Sequence, residues 1–158
     1  MIASVTEELS DGALQQLRVK FAGRAAEHDR NGSFPFENFE LLHEHGLLAL
    51  TVPRGFGGAG ASLGTAARVV REAAYAELAT ALVLTMQYCF HSGINQNPRW
   101  PRRLRELVQH DAAETGALIN ALRVEPELGT PARGGLPATV APSVSHGLWP
   151  PSDNRSCG

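Results

Sequence analysis

Apolar residues recur at steps of three and four near the start of the chain. Leu14, Leu17, Phe21 and Ala25, followed by His28, share one face of a helix predicted from about Thr6 to Arg30. Asn31-Gly32 ends it, because glycine reaches left-handed geometry without a steric penalty. Ser33 and Pro35 announce a second, short helix with Phe36, Phe39 and Leu42 as its apolar stripe, His43 and His45 in its last turn and Gly46 as its stop. Leu47 to Val52 is an apolar run, predicted as a strand or extended segment, which ends at Pro53 and gives way to the glycine-rich loop Gly55 to Gly60. From Ser62 or Gly64 to Phe90 the pattern predicts one long helix. It begins with Arg68 and Glu72 paired at i,i+4 and carries an almost continuous apolar surface from Ala73 to Met86, as a centrally buried helix would. A fourth helix is predicted from Trp100 or Pro101 to Glu114, with Leu104, Leu107 and Val108 inward, Arg102, Arg103 and Arg105 mostly outward, and Gly116 as its end.

Beyond that point the pattern changes. Ala117 to Val124 reads as a first strand and Glu125 to Pro137 as loop, while the residues after about Ala141 follow neither period 2 nor period 3.6. Proline follows the same division: Pro35, Pro53, Pro98 and Pro101 precede residue 126, and six of the ten lie from Pro126 onward. No internal repeat is present. The expected fold class is therefore mainly α, with one or two strands of an incomplete β-domain and a disordered tail. The expected divisions are a helical domain over 1–115, the start of a β-domain over 116–140 and an irregular tail over 141–158.

Composition narrows the function classes. A chain of 158 residues with 43% hydrophobic and 19% charged residues can bury a core, which excludes a wholly disordered protein. Its net charge of −2 supplies no overall field toward nucleic acid or an anionic membrane, so neither is expected as a partner. Leu78 to Met86, the most apolar stretch, is shorter than the roughly 18 residues that cross a bilayer. Cys89 and Cys157 are too few for a disulfide framework and lack zinc-site spacing, and the first residues carry Glu7, Glu8 and Asp11 rather than a signal peptide. A cytoplasmic location is expected, with no metal.

Several constellations invite a chemical reading. Gly55-x-Gly57-x-x-Gly60 spells a dinucleotide fingerprint, but a Rossmann unit needs a second strand about twenty residues on, where this chain continues as helix. A Walker-type phosphate loop is excluded because no lysine follows the glycines; the chain's one lysine is Lys20. His43 and His45, two apart, point about 200° apart on a helix and cannot share a metal; interaction with the helix C-terminus is the favoured reading. His91 lies near Gln87 and Cys89, either facing a pocket or satisfied structurally, the structural role being preferred. Arg99, Arg102, Arg103 and Arg105 read as a solvated helix face rather than a nucleic-acid patch. No Ser-His-Asp or Cys-His pairing follows from spacing, so no catalytic residue is assigned.

Two stretches taken together carry a resemblance. Gly46-Leu47-Leu48, Val52-Pro53 and Phe56-Gly57-Gly58 lie between the second and third helices, and Val124-Glu125-Pro126-Glu127-Leu128-Gly129-Thr130 follows the arginine-bearing helix. In this order and separation they resemble the N-terminal part of the acyl-CoA dehydrogenase superfamily, from about Leu14 to Val140. The resemblance implies an FAD enzyme with an N-terminal helical domain, a middle β-barrel and a C-terminal four-helix bundle, assembled as a homo-oligomer. It implies an acyl-CoA substrate whose α-proton is taken by a carboxylate of the C-terminal bundle while hydride passes to flavin. Carried over by position, Val124, Glu125, Gly129 and Thr130 are the cofactor-binding residues, and Gln87 and His91 are placed on the substrate-pocket side. Val124 departs from the family's threonine, so a hydroxyl contact to the flavin is lost there. That departure and His91 keep a related branch open, the flavin-dependent monooxygenases.

The residues from Pro142 resemble nothing in that family. The expectation is that they replace an authentic continuation through a frameshift or premature stop, leaving a helical fragment without the base or most of the flavin cradle and inactive alone. A non-catalytic helical interaction module is the alternative from another class.

Overall fold

A computed structural model describes residues 9–120, all within one unit of the chain. Five α-helices follow in order: α1 (Asp11–Asn31), α2 (Phe36–Glu44), α3 (Leu63–Ala76), α4 (Leu78–Gln96) and α5 (Arg102–Glu114). A 3-10 turn, Arg54–Phe56, lies between α2 and α3, and no strand occurs among the described residues. The architecture is mainly α, as the periodicity predicts. No helix of the described residues is long and apolar enough to cross a membrane. The expected tail over 141–158 and residues 121–140 of the expected β-domain lie outside the described residues.

Local chemistry sets the helix limits. The Ser10 hydroxyl accepts the Ala13 amide at 3.2 Å to open α1, and Gly32 closes it in left-handed geometry at φ 61°. Ser62 does the same for α3 by accepting the Thr65 amide at 3.3 Å. Gly46, at φ 68°, turns the chain out of α2 and sends its amide to the His43 carbonyl at 2.8 Å.

Leu14, Leu17 and Phe21 of α1, Phe39 and Leu42 of α2, Val69 and Ala73 of α3, and Ala81, Leu84 and Tyr88 of α4 form the main core. Each large side chain so removed from water contributes roughly 1.5–3 kcal/mol before the entropy of ordering it is subtracted. Leu47, Leu48 and Leu50 complete this core from the loop after α2, while Ala49 and Val52 turn the other way onto Ala112 of α5.

Four sequence expectations are corrected. Leu47 to Val52 is neither strand nor extended: Leu50 donates to the Leu47 carbonyl and Val52 to the Ala49 carbonyl, which makes successive tight turns. The single helix to Phe90 is two helices, α3 and α4, parted at Glu77, whose backbone is extended at φ −157° and ψ 112°. Its apolar surface is not buried all round, for Tyr75, Leu78 and Leu82 are exposed. Arg68 does not pair with Glu72. Its guanidinium reaches Asp11 Oδ1 at 3.2 Å and the Leu9 carbonyl, while Glu72 meets Arg71 at 3.1 Å and Arg18 at 3.8 Å. On α5, Leu104 and Leu107 are exposed and the buried residues are Gln109 and Ala112. The inward face of α5 must be small where Ala113 lies 3.1 Å from the point a Gly57 Cβ would occupy, so alanine rather than leucine faces the loop.

Candidate functional site

The site is built on the buried face of α4, where Leu84, Gln87, Tyr88, His91 and Ile94 recur at helical spacing. Glu77 begins this helix. Its carboxylate accepts the Ala79 amide at 2.9 Å, the Thr80 amide at 2.6 Å and the Thr80 hydroxyl. Burial pushes the Glu77 carboxyl up, but the hydrogen bonds from Thr80 and Ala79 outweigh it and hold the group below the ordinary carboxylate range. Asn38 of α2 donates to the Thr80 hydroxyl at 3.0 Å, so the start of α4 is tied to α2 through buried polar contacts.

Two turns later Gln87 is fully buried and uses both ends of its carboxamide. Its Nε2 donates to the Ala117 carbonyl at 3.0 Å, and its Oε1 accepts the Ile119 amide at 2.9 Å. That is the hydrogen-bond pattern of a neighbouring strand, supplied by one side chain, and it aligns residues 117–119 along α4. Tyr88 donates its hydroxyl to the Leu47 carbonyl at 2.8 Å, and Thr51 donates to the Tyr88 carbonyl at 3.3 Å, which locks α4 to the loop after α2. Burial pushes the Tyr88 phenol well above its ordinary range, so it serves as a neutral donor.

His91 is fully buried, and neither ring nitrogen has a hydrogen-bond partner. Burial lowers its pKa, which keeps the imidazole neutral. Gln109 of α5 is equally buried, with both carboxamide atoms unpartnered. Among the described residues no Asp or Glu is buried, and no group of three or more His, Cys, Asp or Glu side chains could hold a metal. The wall thus offers uncharged polar groups in an apolar setting.

The chain matches the family description "Acyl-CoA dehydrogenase, N-terminal domain" over residues 5–97. The chain belongs to the acyl-CoA dehydrogenase family. YdbM of Bacillus subtilis strain 168, which carries the name acyl-CoA dehydrogenase, is 31% identical over 130 residues, covering 82% of this chain and 34% of that protein. L-evernosamine nitrososynthase of a Micromonospora strain is 34% identical over 144 residues, covering 80% and 34%. SfnC of Pseudomonas putida, which carries the name FMNH2-dependent monooxygenase, is 41% identical over 58 residues, covering 37% and 15%. The chain spans about a third of the length of the first two of these relatives.

Of the candidate site residues, Gln87 and His91 lie one turn apart on the buried face of α4. Val124, Glu125, Gly129 and Thr130 fall outside the described residues, as does Val124's end of the expected strand. The part of that strand that is described, 117–120, is not in a sheet and is held by Gln87 instead. His43 of α2 packs against Gly116, whose Cβ, if present, would lie 2.8 Å from the imidazole Cγ. Arg102 pairs with Glu106 at 2.6 Å on the exposed face of α5, and Arg99 and Arg103 are also exposed, as a solvated helix face requires; Arg105 departs from it, being half-buried with its Nε unpartnered. The roles of Glu77 and Gln109 were not visible in the sequence: Glu77 interrupts a run of good helix formers without glycine or proline, and Gln109 sits among apolar positions that point elsewhere.

Proposed function

We propose that this chain is the helical, substrate-side wall of an FAD-dependent oxidoreductase of the acyl-CoA dehydrogenase type, whose whole reaction is α,β-dehydrogenation of an acyl-CoA thioester. The observation that carries this reading is the two-point hold of Gln87 on Ala117 and Ile119. Val124, Glu125, Gly129 and Thr130, which follow in the sequence, are the residues this reading assigns to the flavin. When bound, FAD supplies the hydride acceptor. The chain's own residues orient that approach and exclude water: α4 holds no Asp, Glu, Lys or Arg, and His91 is held neutral by burial. Among the described residues none that is buried carries a carboxylate, and this reading assigns the α-proton to none of them. This reading expects the chain alone to be inactive and to retain no flavin, and the whole enzyme to be a cytoplasmic homo-oligomer.

A second reading, the flavin-dependent monooxygenase branch, is favoured by His91. A neutral, buried imidazole with both nitrogens unpartnered can donate one hydrogen bond and accept another, and would so orient a polar group that oxygen chemistry brings to the flavin site. The test is direct: purify the chain, desalt it and measure flavin absorbance per mole. Near-zero flavin is expected. A stoichiometry close to one would contradict the inactive-wall reading.

A further inference from the structure

The glycine-rich loop that spells a dinucleotide fingerprint borders a cleft away from the buried face of α4. This cleft has a volume of about 520 Å³ and is lined by Thr51, Arg54, Ser62, Ser92, Asn95 and Gln96, together with Pro53, Gly60, Ala61 and Leu63. Its size falls within the roughly 300–1,000 Å³ of small-molecule sites. Two of its walls are fixed to each other by backbone bonds, Gly60 to the Val52 carbonyl at 2.8 Å and Ala61 to the Leu50 carbonyl at 2.9 Å.

The lining is unbalanced in charge. Among the described residues that line it, Arg54 is the one ionised residue and none is an acid. The Arg54 Nε donates to the Ala59 carbonyl at 3.3 Å, which fixes the guanidinium, while its terminal nitrogens have no partner among the described residues. Ser92, Asn95 and Gln96, all on the last turns of α4, likewise make no side-chain hydrogen bond among the described residues. Ser62 is not available in the same way, since its hydroxyl already accepts the Thr65 amide. A held guanidinium with free terminal nitrogens binds an oxyanion at two points, and carboxamides beside it complete the hydrogen bonding of the group that carries the charge.

We propose that this cleft binds a small molecule carrying an oxyanion, with Arg54 taking the anion and Asn95 and Gln96 its polar neighbours. The shared chemistry is a phosphate ester or a carboxylate. The site is independent of the substrate-side wall, so either can fail without the other.

The isotopically labelled full chain is titrated with inorganic phosphate in one series and acetate in another, following backbone amide signals. Saturable shifts confined to the 51–62 loop and to Ser92, Asn95 and Gln96 are expected, the stronger series naming the class. Arg54→Gln should weaken binding about tenfold or more, equivalent to at least ~1.4 kcal/mol. Asn95→Asp should do the same by repulsion, and because Asn95 is exposed it leaves the fold intact. Arg103→Gln, on an exposed face outside the cleft, should change affinity less than about twofold. Absence of localised shifts in both series would overturn the proposal, as would equal binding by Asn95→Asp or equal weakening by Arg103→Gln.

Discussion

The loop from Leu47 to Ala61 and the His91 and Gln109 positions on the inward faces of α4 and α5 both bury polar groups, and they treat them in opposite ways. In the loop, the amides of Ala59, Gly60 and Ala61 return to the carbonyls of Ala49, Val52 and Leu50 at 2.8–3.2 Å, and the Leu47 carbonyl accepts the Tyr88 hydroxyl. On the helices, His91 and Gln109 are buried to the same degree with four polar atoms unpartnered. A buried polar group without a partner costs about 1–3 kcal/mol. The loop is therefore finished structure, held by its own backbone. At His91 and Gln109 the helix faces carry polarity that the described residues do not use.

The largest expected effect breaks the finished side. A Cβ on Gly58 would lie 2.2 Å from the Val52 carbonyl oxygen and 2.6 Å from that of Ala49, so Gly58→Val must displace backbone rather than a side chain. Thermal or chemical denaturation should show a loss of about 3 kcal/mol or more. A smaller effect of opposite sign is expected on the unfinished side. Gln109→Met keeps the volume and removes both unpartnered atoms, so the same measurement should show a gain of up to about 1 kcal/mol. Loss of stability in Gln109→Met would mean that its carboxamide is satisfied and that the contrast between the two regions is false.

Much of the fold was legible because its punctuation is local. Gly32 and Gly46 stand where the chain needs positive φ, Ser62 caps α3, and Leu14, Leu17 and Phe21 keep helical spacing. The break at Glu77 was not legible, because Ala76, Glu77 and Leu78 all favour helix. What ends α3 is the capping of α4 by the Glu77 carboxylate, tied to α2 through Thr80 and Asn38, a tertiary contact across 42 residues. Leu104 and Leu107 misled for a related reason: apolar spacing marks a possible inward face, and the close approach of Gly57 to Ala113 selected another. Within the candidate site, the sequence singles out Gln87 by its position relative to the family and His91 by its place near Gln87 and Cys89. Their environments depended on Ala117, Ile119 and the depth of burial, which no spacing rule contains.

The account rests on Gln87 acting as the splint for residues 117–119, and amide hydrogen exchange at Ile119 reads that directly. The native chain should show a slowed Ile119 amide, and Gln87→Leu should return it to the rate of an exposed peptide while the core amides of α1 and α3 stay protected. An Ile119 amide that exchanges freely in the native chain, or stays equally protected in Gln87→Leu, would contradict it.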